Sequence, residues 1–182
     1  ELDGEELIFA GHSVGEITAA ALAGVLSDED AMRFVRVRAN GMAEAAAASP
    51  TGMAAVLGGV EENVREAIDA AGLVAANSNG GGQIVAAGPI PAIEAFAANP
   101  PARARVIPLK VAGAFHTEAM APAVPALEEF TASLQVSDPT SALLTNRDGS
   151  AVASGEEFVK TLVSQVTSPV RWDLCMATLL ER

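Results

Sequence analysis

A serine flanked by small residues, at the end of an apolar run, is the first place where this sequence could do chemistry. Gly11-His12-Ser13-Val14-Gly15 follows Leu7-Ile8-Phe9-Ala10 and precedes an alanine-rich helical pattern. A G-x-S-x-G between strand and helix is the pattern of a nucleophile elbow. The strained turn holds the hydroxyl out, the glycines let strand and helix pack closely, and the helix N-terminus offers amide N–H groups to a developing oxyanion. The plainer alternative is a turn in which Ser13 only caps the helix. A serine at its ordinary pKa needs a base, and the chain has two histidines, His12 and His116. His12 adjoins Ser13 in a tight turn, where neighbouring side chains diverge. His116, in Gly113-Ala114-Phe115-His116-Thr117 after an apolar strand, lies where α/β folds place active-site loops and is the better candidate.

Arg38 is the third such residue. On the helix that begins at Asp28 the apolar stripe runs through Ala31, Phe34/Val35, Gly41/Met42 and Ala45, and position 38 falls on it, while Arg33 and Arg36 face outward. A buried guanidinium is costly unless it meets an anion, and its fork suits a carboxylate. That anion is either an acid of the chain itself or a substrate with a free carboxylate. Gly80-Gly81-Gly82 matches neither phosphate-binding glycine pattern and reads as a hairpin connection. Asn77 and Asn79 beside it either line a site or favour the turn. Cys175, Met120 and Met176 read as core.

The elements needed to position these residues alternate strand-like and helical patterns, which points to an α/β fold with a mainly parallel sheet. The strand at 7–10 and the elbow helix, ending near Gly24, are followed by a helix from Asp28 to about Ala47, with Ser27 as its cap. Residues 53–57, 73–77, 83–87 and 105–110 read as strands and 61–71 and 89–98 as helices, with 78–82 as the hairpin connection. This is the β-α-β-β-α-β order of a ferredoxin-like unit. A helix near 125–134, a strand at 142–145 and two last helices complete the pattern, with Pro169 at the start of the final one, which runs on to Arg182. The division expected is a core of 1–49 plus 111–182 and a smaller inserted unit of 50–110.

Composition narrows the field. The chain has 182 residues, 50% of them hydrophobic, and a net charge of −12 from 11 basic and 23 acidic side chains. Such a composition suits a folded, soluble chain. The negative charge disfavours nucleic acid and anionic membrane as partners. A single cysteine makes no intrachain disulfide, and with two histidines it makes no zinc site. Nothing reads as a signal peptide or a spanning helix, so the expected compartment is the cytoplasm.

Gly11-His12-Ser13-Val14-Gly15-Glu16, with Arg38, Met42 and Phe115-His116, closely resembles the malonyl-CoA:acyl carrier protein transacylases and the acyltransferase domains of fatty-acid and polyketide synthases. The resemblance runs over essentially the whole chain. It implies an α/β-hydrolase-like core with the ferredoxin-like insertion, and a malonyl-serine intermediate on Ser13 with His116 as base and acid. It also makes Arg38 the receptor of the malonyl carboxylate and the Val14 amide an oxyanion donor. Gln165, between Leu162-Val163-Ser164 and Ser168-Pro169-Val170-Arg171-Trp172, falls where a triad acid would stand and holds the histidine through its main-chain carbonyl. Asn79 and Gln83 match an Asn-x-x-x-Gln around the hairpin, placing Asn79 toward the substrate. His12 and Met42 join the substrate-binding set. Phe115 matches the malonyl-selective form, leaving little room for an α-methyl branch.

Two departures accompany the likeness. Ala39 follows the arginine where glycine is usual. The family's Gly-Gln-Gly-rich first segment, whose glutamine is the other oxyanion donor, and its Gly-Pro-Gly-bearing last segment have no counterpart before Glu1 or after Arg182, so the chain reads as a piece of a longer one. The implied partners are malonyl-CoA and acyl carrier protein, whose usual acidity directs attention to Arg103, Arg105, Lys110, Arg147 and Arg171. No resident cofactor or metal is implied, and a monomer is expected. Two rivals remain: an esterase or thioesterase on the same elbow, and a non-catalytic carrier-docking piece.

Overall fold

Period-two alternation builds the larger sheet. In the computed structural model, which describes residues 7–181, β2 (Thr51–Gly58) sends Ala54 and Val56 to one face and Met53 to the other. Its neighbour β4 (Gln83–Pro89) does the same with Ile84 and Ala86 against Val85 and Ala87. The first face is closed by α3 (Glu61–Ala70) and α4 (Ile90–Ala98), which bury Val64, Ile68, Ile93 and Phe96. The second face packs on Ala114, with Phe115 and Ala119 at its border. This is the face that looks toward the candidate site.

The strand order is β5-β2-β4-β3-β7, where β3 is Val74–Gly80, β5 is Ala104–Pro108 and β7 is Val170–Arg171. The first four strands pair antiparallel in the order of a ferredoxin-like unit. Among the described residues the core pair β1 (Ile8–Ala10) with β6 (Ala142–Leu144) is parallel, as expected of the core, and so is β3 with β7. The antiparallel pairs of the ferredoxin-like unit outnumber them, so parallel pairing does not dominate the molecule as a whole. The strand β7 was not expected. Pro169 starts no helix; two residues after it pair with Asn77 and Ser78 first, and α7 (Trp172–Leu180) begins only at Trp172. Through that pairing residues 170–171 join the sheet of the 50–110 segment across the expected division.

The hairpin differs as well. Ser78, Asn79 and Gly80 belong to β3, and the connection shrinks to Gly81-Gly82, both with positive φ, as a two-residue turn between twisted strands requires. Register shifts between Ala75 and Asn77 and between Ser78 and Gly80 let these polar residues stay in the strand.

The other half of the molecule is helical. Helix α2 (Asp28–Ala48) starts where Ser27 Oγ accepts from Asp30 N at 3.1 Å, with Asp28, Glu29 and Asp30 favouring its positive end. It buries Ala31, Phe34, Arg38, Met42 and Ala45 along one stripe. Together with α1 (Gly15–Leu22), α5 (Val124–Thr131) and α6 (Gly155–Ser164) it encloses the main core, around Ile17, Phe34, Met120, Leu127, Leu143, Phe158 and Leu162. Cys175 and Met120 are fully buried as expected, but Met176 is 40% exposed on the outer face of α7. Arg182 and residues 1–6 lie outside the described residues. Among those described, no helix is long and apolar enough to cross a membrane.

Candidate active site

The turn from β1 into α1 carries Ser13 in the left-handed backbone region, at φ 55°. Only a few per cent of non-glycine residues adopt it, and the strain persists because the surroundings over-determine it. Gly11 is required there: a Cβ would lie 2.1 Å from the Gly15 carbonyl carbon. Gly15 is not required in that way, since a Cβ on it meets nothing within 4 Å. The turn is pinned from outside by Asn146, whose Oδ1 accepts from Ser13 N at 2.9 Å.

His116 arrives from a second strained loop, itself at φ 61°. Thr117 Oγ1 donates to Ala114 O at 2.7 Å, and Ala114 N donates to Thr51 Oγ1 at 3.0 Å, so the loop is tied to itself and to the start of β2. The result sets Ser13 Oγ 2.7 Å from His116 Nε2. His116 Nδ1 lies 2.9 Å from the main-chain carbonyl of Gln165, which only accepts. The neutral ring therefore carries its proton on Nδ1 and offers a bare Nε2 to the serine hydroxyl. Burial, with the ring 4% exposed, pushes the His116 pKa down to about 4; the carbonyl of Gln165 opposes this and the charge of Arg38 adds to it. At neutral pH the imidazole is uncharged and able to take a proton.

Arg38 occupies the position its helical spacing required, 7% exposed. Its Nη2 donates to Ser13 Oγ at 3.1 Å and to Gln165 Oε1 at 3.0 Å. Among the described residues the guanidinium makes no direct ion pair with an acid, and its buried Nε has no acceptor. Burial lowers its pKa to about 10, against the attraction of Glu16, so the charge persists at pH 7.

Two residues missed by sequence reasoning complete the cluster. Glu16, at the head of α1, is 0% exposed. It accepts from Asn146 N at 2.6 Å through Oε1 and from the Gln165 amide at 2.5 Å through Oε2. Burial raises its pKa while those hydrogen bonds lower it. Asn146 follows β6, at the carboxyl end of a parallel strand, and that position was the signal that could have found it. Glu16 belongs to the stretch that carries the family resemblance but was given no role, since acids are ordinary in a first helical turn.

The cleft in front of Ser13 has a volume of about 510 Å³. Arg38, Met42, Met53, Asn77, Phe115 and His116 are among its lining residues, along with His12 and Val14. The expected residues divide here. Ser13, His116, Arg38 and Gln165 meet in one hydrogen-bonded cluster, and Met42 and Phe115 form apolar wall. Val14 stands 44% exposed at the mouth. His12 is turned away from the serine chemistry. Its Nε2 pairs with Asn79 Oδ1 at 2.9 Å, and its ring meets Trp172 edge-on at 5.7 Å. Asn79 is occupied by His12 and by Gln83, at 2.8 Å, and it is Asn77 that faces the cleft.

A strained serine, a neutral histidine and a caged arginine meet on one cleft, and residues 5–181 match the family model described as acyl transferase domain. The chain belongs to that family. The malonyl CoA-acyl carrier protein transacylase of Mycobacterium tuberculosis is 54% identical over 180 residues, 99% of this chain and 60% of that protein. The Bacillus subtilis protein of the same name is 36% identical over 171 residues, 90% of this chain and 54% of its own length. Among solved structures, the MCAT of M. tuberculosis superposes with a TM-score of 0.96 at 54% identity, covering all of this chain and 60% of the other. The acyltransferase domain of an iterative polyketide synthase of enediyne biosynthesis superposes with a TM-score of 0.82 at 32% identity, over 93% of this chain and 45% of the other. The chain spans about three fifths of the length of the mycobacterial relatives it matches.

Proposed function

We propose that this chain belongs to an enzyme that moves a malonyl group from coenzyme A to the phosphopantetheine thiol of acyl carrier protein, by way of an ester on Ser13. The observation that carries the reading is the shared contact of one hydroxyl. Ser13 Oγ is within hydrogen-bonding distance of a bare imidazole nitrogen and of a guanidinium that no acid of the described chain has claimed. The names of its relatives supply the acyl donor and acceptor.

Each half-reaction is a transfer at one carbonyl carbon. His116 Nε2 takes the Ser13 proton as Oγ attacks the thioester, and the oxyanion forms against the Val14 amide at the head of α1. The C–S bond breaks, and the CoA sulfur leaves with the proton His116 returns. The carrier thiol then gives its proton to His116 and attacks the malonyl ester, and Ser13 recovers its proton as the C–O bond breaks. Arg38 holds the malonyl carboxylate throughout, and Phe115 crowds any branch on the α-carbon. His12 and Met42 shape the cleft, with Asn79 acting through His12. Residues 50–110 form the smaller lobe over it. We place the reaction in the cytoplasm, in a monomer and with no cofactor beyond the thioester, and we assign the second oxyanion donor to the glutamine of the Gly-Gln-Gly-rich segment that the family carries.

Intact-protein mass after mixing with malonyl-CoA tests this. A malonyl adduct in the wild type that a pantetheine thiol removes, and that Ser13→Ala lacks, is expected. Immediate release of free malonate, with no transfer to thiol, would mean a hydrolase. No adduct, with carrier binding unchanged in Ser13→Ala, would mean a docking module.

A further inference from the structure

Arg38 and Glu16 are both buried and oppositely charged, yet they do not touch. Gln165 stands between them. Its Oε1 accepts from Arg38 Nη2 at 3.0 Å, and its Nε2 donates to Glu16 Oε2 and, at 2.9 Å, to Ser13 O. An amide has one accepting and one donating end, so the carboxylate and the Ser13 carbonyl together dictate which end faces the arginine. Glu16 is itself immobilised, because its other oxygen accepts from the main chain at Asn146.

From this we infer that Glu16 is the counter-ion of Arg38, acting through the Gln165 amide, and that this indirect pairing keeps the guanidinium positioned but free for an acyl carboxylate. A direct carboxylate partner would compete with the substrate. No partner at all would leave a buried charge uncompensated, which is the most destabilising arrangement of the three. The relay satisfies both demands: it compensates the charge while, among the described residues, no carboxylate sits on the guanidinium itself. Glu16 is thus a positioning residue for specificity, three positions from the nucleophile, and the inference rests on the malonyl-transfer reading above.

The test is Glu16→Gln in the full chain, which keeps the shape and removes the charge. The variant places an amide where two acceptor oxygens stood. Whichever way the new amide or that of Gln165 turns, the charge opposite Arg38 is gone and its acceptor is no longer fixed. Acylation of Ser13 by malonyl-CoA should fall by about 10- to 100-fold, the range for residues coupled in one network. Acylation by acetyl-CoA, which carries no carboxylate for Arg38 to hold but still meets the Arg38–Ser13 hydrogen bond, should fall clearly less, by several-fold at most. On an Arg38→Met background, Glu16→Gln should have no further effect on either donor. Equal losses with both donors, or additive losses on the Arg38→Met background, would overturn the inference. Should Glu16→Gln alone fail to fold, the double variant, which removes both charges, should fold; its failure would show that Glu16 serves the core independently of Arg38 and would also overturn it. A wild type that forms no malonyl adduct sinks the underlying reading, and is told apart because that result appears before any variant is made.

Discussion

In β2 and β4 successive side chains enter two apolar clusters in strict alternation, and neighbouring strands meet each other's backbone groups along seven paired positions. Around Ser13 the arrangement is reversed. Glu16, Arg38, His116, Asn146 and Gln165 are all buried and polar, and two backbones stand in the left-handed region. The sheet is built from local rules that agree with one another, while the cleft is built from groups that are each unfavourable alone and are reconciled only together. Stability should therefore be concentrated in the first region and chemistry in the second. Substitutions on either side, and a change of pH, can break that separation or sharpen it.

The largest effect belongs to the cleft. Arg38→Ala removes the charge proposed to meet the malonyl carboxylate and leaves Glu16 buried without its counter-charge. Malonyl transfer should fall by about 4 kcal/mol of transition-state binding, roughly 10³-fold, the scale of a broken buried pair. Acetyl transfer should suffer far less. Rates of acylation from rapid-quench mass spectrometry give both numbers, and equal losses would make Arg38 a structural residue and erase the contrast between regions.

The sheet side is probed by Ile68→Ala. Ile68 is 1% exposed beneath the sheet, in the cluster closed by α3 and α4. Truncation should cost about 3 kcal/mol in urea unfolding through lost burial and cavity formation. The ratio of malonyl to acetyl transfer should not move. A change in that ratio comparable to Arg38→Ala would mean that the sheet sets the geometry of the cleft, rather than only supporting it.

What the sequence disclosed follows the same line. Ser13, His116 and Arg38 were legible because each is out of place by a local rule: a serine in an elbow, a histidine with a nucleophile to serve, an arginine on an apolar stripe. The ferredoxin-like order was legible because short apolar runs and helical patterns follow one another as β-α-β-β-α-β. Glu16 was not, because its meaning depends on Gln165, 149 positions away. Nor was β7, where two residues become a strand only because β3 lies alongside, overriding a proline that locally suggests a helix start. The segment Ser78–Gly80 misled for the same reason. Its composition favours a turn, but pairing with β4 around two register shifts keeps it extended. Met176 shows the converse: an apolar residue on a helix of apolar residues carries no label for the side that faces solvent.

The smallest effect is a pH dependence that the buried histidine of the cleft imposes. His116 titrates near 4 in the folded chain, below its ordinary 6.5, because burial disfavours the imidazolium. The unfolded chain takes up that proton first. Stability is therefore complete above pH 6.5, falls as pH drops toward 4, and then levels off with respect to this group. At about 1.4 kcal/mol per pKa unit the loss is about 3 kcal/mol at most. Glu16 pulls the other way, since its raised pKa lets the folded chain bind a proton more readily than the unfolded one. Acidification through that raised value returns some stability, so the net loss should be smaller than His116 alone dictates. Urea unfolding of the wild type between about pH 7 and about pH 4.5, which brackets most of the His116 window, should show a falling midpoint. His116→Ala should flatten the fall and Glu16→Gln should steepen it. A wild-type slope that survives His116→Ala would place the acid-sensitive group outside the cleft, and would remove the support for the idea that buried polar groups there are what the fold gives up stability to hold.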